Sequence, residues 1–140
     1  MSMIAVCAIG STALTAQTVG ISTVAGQALT AGSTDNATGT LARFSNPAGL
    51  AADSTTIYVA DSANHAIRKV TIASGAVATL ATGFNGPIGV AVDNGGNVFV
   101  ADTSNHVIKK VTPGGVVTVQ AGASTVSGST DGTMANSRFF

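Results

Sequence analysis

Two pairs of side chains offer themselves for chemistry: Asp61 with His65, and Asp102 with His106. A carboxylate close in sequence to an imidazole can act as an acid–base couple or as two arms of a metal site. Both pairs lie inside one recurring stretch, VADSANHAIRKV at Val59–Val70 and VADTSNHVIKKV at Val100–Val111. A reactive centre needs groups from different parts of the fold to converge on one pocket, whereas a pair repeated in each unit occupies equivalent places in successive units. The repetition therefore points to architecture. Asp at a strand end accepts hydrogen bonds from the backbone N–H groups of the next turn, Asn tolerates the left-handed conformation, and His bridges strands. Asp61, Asn64, His65, Asp102, Asn105 and His106 are read as a structural repeat motif.

The remaining candidates are weaker. Arg68, Lys69, Lys109 and Lys110 alternate with apolar neighbours and are read as solvated cover of an outer face, with a ligand-binding stripe as the alternative. GSTDNATG and GSTDGT offer Asp35 and Asp131, but one carboxylate per loop falls short of the oxygen ligands that calcium requires, so plain loops are expected. Asn36-Ala37-Thr38 fits the N-glycosylation acceptor pattern. Cys7, the single cysteine, has no disulfide partner in the chain and is expected as a small buried apolar residue. No nucleophile elbow, Cys-His arrangement, phosphate loop or metal-ligand spacing is found. The chain is expected to have no catalytic residue, no cofactor and no metal.

The bulk composition narrows the partners. Hydrophobic residues make up 45% of the chain, which is incompatible with disorder, while charged residues make up only 9%, against roughly a quarter in ordinary soluble domains. Ser, Thr, Ala and Gly must cover much of the surface, which suits packing against other copies or a coat of glycans. The formal net charge is zero and the basic residues are spread along the chain, so no electrostatic footprint for nucleic acid or an anionic membrane exists. The opening MSMIAVCAIGSTALTAQ has the apolar run of a secretory signal, but no Lys or Arg precedes it. It is expected to be retained as strand material, and it is too short and too polar to span a bilayer.

The elements that must position these residues emerge from self-similarity. The segment opening FSNPAGLAAD at Phe44 aligns with the one opening FNGPIGVAVD at Phe84, pairing Pro47 with Pro87, Gly49 with Gly89, Asp53 with Asp93, and Val77 with Val116. Each unit reads as four short strands rich in Val and Ile, separated by Gly, Asn, Asp and Pro. Pro47, Gly49, Pro87 and Gly89 set the turn into the innermost strands, where space is tight. Four antiparallel strands at a period of about 40 residues are the signature of a propeller blade. Partial copies flank the full ones: ISTVAG at Ile21–Gly26 matches the last strand of a unit, and GSTDNATGTLARF at Gly32–Phe44 is echoed by GSTDGTMANSRF at Gly128–Phe139. The organisation is thus 1–26, a strand segment ending in a partial repeat; 27–43, an inter-blade loop; 44–83 and 84–122, two full repeats; and 123–140, a loop leading to the start of another blade.

The FxxPxG opening, the VAD strand end, NHxI(R/K)K and the closing TVAG-like strand together resemble the NHL repeat. The name reflects the asparagine, histidine and apolar positions found here as Asn64, His65 and Ile67, and as Asn105, His106 and Ile108. The resemblance runs from Ile21 to the C-terminus and excludes the first twenty residues. It implies an all-β chain of NHL-type β-propeller blades in a family that commonly closes about six of them. The family's members are mostly interaction platforms; a minority are enzymes, such as the amidating lyases that cleave peptidyl-hydroxyglycine with metal ligands gathered from several blades. No such ligand set can be carried over to this chain.

Two full blades form an incomplete propeller, whose apolar sheet faces and strand edges need cover. The simplest cover is another copy of the chain, joined head to tail, with strand exchange completing split blades. The association gives a ring if the rotation closes and a filament if it does not. The expected function is a non-catalytic, self-assembling structural subunit, extracellular or at the cell surface, in a fibre or coat. The alternatives are a module binding a protein, peptide or glycan, and a fragment of a longer NHL protein.

Overall fold

The computed structural model describes residues 22–123, 126–134 and 136–139. The strand expected within residues 1–20, and Cys7, lie outside this range. Two four-stranded antiparallel sheets make up the body. The first is β1 (Pro47–Ala52), β2 (Thr56–Asp61), β3 (Ala66–Thr71) and β4 (Val77–Thr82), in that spatial order; the second is β5 (Pro87–Val92), β6 (Val98–Asp102), β7 (Val107–Val111) and β8 (Val117–Ala121), in the same order. These are two propeller blades, as the repeats predict. Both carry a register shift after the leading proline and another near the start of the third strand.

Alternation along the strands decides which side chains face which neighbour. On the face of blade 1 turned toward blade 2, Tyr58, Ala60, Ile67 and Ala81 pack with Phe84, Val98, Val100 and Val111 in one buried cluster. Val59, Val70 and Val77 form a second cluster on the opposite face, with Ala42, Phe44, Ala25 and Ile57 against it. Where the innermost strands meet, a Cβ built on Gly49 would overlap the carbonyl oxygen of Ile88. Glycine is required there by contact between β1 and β5, since no side chain fits between the two backbones.

Two expectations are corrected. In the ladders Val70 faces Val77 and Val111 faces Val117, so Val77 corresponds to Val117 rather than Val116. The β7–β8 turn is one residue shorter than the β3–β4 turn, and the slip shifts the match by one. Residues 22–26 form no strand despite their likeness to β8. β8 is held by its ladder with β7, and no strand pairs with 22–26 among the described residues. The segment 27–43 holds no strand of its own. It runs as a strap along the edge of blade 1, with an antiparallel bridge between Asn36 and Val77 and a single 3-10 turn at Gly39–Leu41.

Candidate functional site

The repeat motif sits at the top of each blade, where β2 passes through a one-turn 3-10 helix (Ser62–Asn64) into β3, and β6 passes through Thr103–Asn105 into β7. The left-handed residue that closes each turn is the histidine, with φ 54° at His65 and 56° at His106. Sequence reasoning assigned that conformation to the asparagine. The asparagine instead stays in the 3-10 turn, where its side-chain amide donates to the preceding aspartate, at 2.8 Å in both Asn64–Asp61 and Asn105–Asp102.

Asp61 and Asp102 are fully buried. The donor that ties each of them to the backbone comes from the segment before the blade rather than from the next turn: Ser45 N–H to Asp61 Oδ1 at 2.7 Å, and Asn85 N–H to Asp102 Oδ1 at 2.6 Å. Each aspartate thereby anchors the entry of the chain into its own blade. The charge is matched from the third strand, by Arg68 Nη1 on Asp61 at 2.8 Å and by Lys109 Nζ on Asp102 at 2.7 Å. The outer-face reading of these basic residues is corrected for two of the four. Arg68 is 1% exposed and the Lys109 side chain 14%, because a buried carboxylate with no counter-charge would be costly. Lys69 is exposed, and Lys110 lies 5.9 Å from the Phe99 ring centroid.

Arg68 and Lys109 do the same work up to a point. Both reach the backbone carbonyl of the segment entering their blade, Arg43 O at 3.0 Å and Gly83 O at 2.8 Å. Both also lie over the aromatic ring that opens the repeat, Phe44 at 5.0 Å and Phe84 at 5.3 Å. Arg68 then does more, since its planar fork has a second edge. Nε and Nη2 both donate to Asp35 of the strap, and Asp35 also accepts from the Thr79 N–H and hydroxyl on β4 at 3.0 and 3.1 Å. Partial burial raises the Asp35 pKa, but the Thr79 N–H and the Arg68 guanidinium outweigh it and hold the carboxyl below its ordinary value. Sequence reasoning left Asp35 in a plain loop. The available signal was an arginine in blade 1 where blade 2 has lysine.

One histidine joins the two blades. His65 Nδ1 accepts the Gly86 N–H, 3.1 Å away at the entry to blade 2. His106 Nδ1 is buried and has no partner among the described residues. Each aspartate is bonded within its own blade, and His65 is bonded to the next. Among the described residues no three His, Cys, Asp or Glu side chains come together in a way that would hold a metal. Asp53 and Asp93 cap the tight turns after β1 and β5. Backbone N–H groups of Thr55 and Thr56 lower the Asp53 pKa, and the side chain and backbone of Asn97 lower that of Asp93.

The face of blade 1 turned away from blade 2 holds an apolar cavity of about 360 Å³, lined among others by Phe44, Pro47, Leu50, Ile57, Val59 and Val70. Ladder positions match these to Phe84, Pro87, Val90, Val98, Val100 and Val111 of blade 2, residues of the face that blade 1 covers. Val59 and Val70 are buried much as their counterparts Val100 and Val111 are, whereas Leu50 is 67% exposed and its counterpart Val90 is half-buried. By position the cavity corresponds to the face of blade 2 that blade 1 covers, and Thr23, Val24 and Ala25 also line it.

Residues 44–70 and 84–110 each match the NHL repeat, so the chain carries two NHL repeats and its sheets are blades of an NHL-type β-propeller. No curated protein matches the chain. Among solved structures it resembles a structural-genomics protein of unknown function from Bacteroides thetaiotaomicron VPI-5482, with TM-score 0.59 and 21% identity over 71% of this chain and 26% of that one. It also resembles an auxiliary nutrient binding protein from the same organism, with TM-score 0.55 and 23% identity over 69% and 28%. A virginiamycin B lyase from Staphylococcus aureus matches at TM-score 0.47 and 20% identity over 56% and 28%. The chain spans about a quarter of the length of these propeller structures. No helix among the described residues is long and apolar enough to cross a membrane.

Proposed function

We propose that this chain is a non-catalytic structural propeller module that associates head to tail with copies of itself. In this reading the free face of blade 2 in one copy covers the apolar cavity on blade 1 of the next, repeating the junction that already joins the two blades within the chain. The observation that carries the reading is a matched pair of polar groups at the two ends. His106 Nδ1 is buried without a partner among the described residues, while its counterpart His65 accepts the N–H of Gly86. The residue of blade 1 at the position of Gly86 is Asn46, with φ 52° against 58°. A second copy docked in the same way would bring the Asn46 N–H to His106.

The apolar surfaces agree with this. Phe99, Ala101, Ile108 and Ala121 on the free face of blade 2 stand at the ladder positions of Tyr58, Ala60, Ile67 and Ala81, which cover blade 2. The low charge of the chain suits such packing and is also the reason for proposing a fibre or coat outside the cell, where Asn36 would be open to glycosylation. A second reading is favoured by the lengths of the similar structures: further blades of a longer propeller would cover the same faces, and the assembled propeller would bind a protein, peptide or glycan. Light scattering on the purified chain across a range of concentrations, with negative-stain microscopy, separates the two. Rings or fibres of regular repeat are expected, and a chain that remains a folded monomer at every concentration would refute self-association.

A further inference from the structure

The strap has a twin. The described residues between Gly122 and Phe139 repeat four backbone bonds of residues 26–44: Gly122 N–H to Met134 O, Ala123 to Ser137, Gly128 to Phe139 and Arg138 to Thr130 reproduce Gly26 to Gly39, Gln27 to Ala42, Gly32 to Phe44 and Arg43 to Thr34. The root glycines share one left-handed conformation, with φ 100° at Gly26 and 99° at Gly122. Each root packs against its aromatic end, Gly26 on Phe44 and Gly122 on Phe139. The second glycine of each strap packs on its arginine, Gly32 on Arg43 and Gly128 on Arg138.

Among the described residues only the first strap has its tip bonded to a blade. The first has its tip docked on blade 1, where Asp35 takes the Arg68 guanidinium and the Thr79 N–H and where Asn36 bridges to Val77. The second is rooted at the end of β8 in blade 2, where Asp131 stands at the position of Asp35 and, like it, is exposed. Blade 2 of the same chain cannot serve as its receptor. It carries Lys109 in place of Arg68 and Val119 in place of Thr79, so it lacks both the second guanidinium edge and the hydroxyl.

We propose that residues 122–139 are a strap that exchanges with residues 26–44 of a second copy, Asp131 replacing Asp35 on that copy's Arg68 and Thr79. The inference rests on the head-to-tail reading and adds its mechanism. The two straps follow one path, from the last strand of one blade to the first strand of the next, and only one can occupy it. A copy's own strap is therefore an internal stand-in that the incoming strap must displace, as in segment swapping between identical chains. The partner is identified by chemistry: a blade with arginine on its third strand facing a threonine on its fourth, which this chain supplies once.

The test mixes two full-length variants in a Cys7→Ser background, one carrying Thr79→Cys and the other Asp131→Cys, under mild oxidation. An intermolecular disulfide between them is expected. A second measurement compares Asp131→Ala with Asp35→Ala by concentration-dependent light scattering. Loss of the incoming carboxylate should weaken association by about tenfold or more, and loss of the resident one should strengthen it by a similar factor. Oligomers that form without the disulfide, or two alanine variants that shift association in the same direction, would overturn strap exchange and leave head-to-tail docking standing. A chain that never associates would remove the docking, and strap exchange with it.

Discussion

Arg68 is the residue on which most of blade 1 converges, for it neutralises a fully buried aspartate, holds the strap and covers the Phe44 ring. Replacing it with leucine leaves Asp61 buried without a counter-charge and is expected to cost about 3–5 kcal/mol in urea unfolding. Arg68→Lys should cost far less, about 1–2 kcal/mol, because Lys109 already shows that an ammonium in this place can hold both the aspartate and the entering carbonyl. A leucine variant as stable as the lysine variant would remove the buried pair from the account. The repeat motif was legible as a motif, but the division of labour within it was not. Asn and His both tolerate the left-handed region, and only the backbone shows that the histidine adopts it, which frees the asparagine amide to reach the aspartate.

The strap and the innermost strands carry the next set of consequences. Asp35 titrates below its ordinary value when the strap is docked, so the folded chain binds fewer protons there than the unfolded chain. The stabilisation is complete above about pH 4 and is lost as the pH falls through the lower, folded value. Thermal unfolding should therefore show a drop in the melting temperature on acidification that is smaller in Asp35→Asn, and an identical pH profile for the two proteins would show that the carboxylate does not hold the strap. At the inner strands, Gly49→Ala sets a methyl group against the Ile88 carbonyl and must push β1 from β5. A loss of about 1–3 kcal/mol is expected, whereas Gly89→Ala should be milder, since its nearest neighbour is the methyl of Ala101 at 3.3 Å. The four strands of each blade were readable from alternation and turn residues. Residues 27–43 were not readable as a strap, because what holds them comes from β3 and β4, far along the chain.

For the whole molecule the issue is what covers the two outer faces. Leu50 is 67% exposed at the mouth of the apolar cavity and makes little contribution to the core. Leu50→Asp should leave the unfolding transition nearly unchanged while abolishing association in light scattering, and Ile108→Asp on the opposite face should abolish association too, with some loss of stability because Ile108 is half-buried. Mixing the two variants should yield heterodimers that grow no further, since each retains one intact face; continued growth of the mixture would argue against head-to-tail docking. The sequence by itself determined the local matters: four strands per blade, turns where Gly, Pro, Asn and Asp fall, and two NHL repeats, since hydrophobic alternation and turn chemistry act over a few residues. Tertiary structure alone decided which charges are buried and which histidine is satisfied. Those outcomes depend on groups that meet only once the blades stack, such as Arg68 with Asp35 or His65 with Gly86, and no local pattern encodes the position of a partner that distant in the chain.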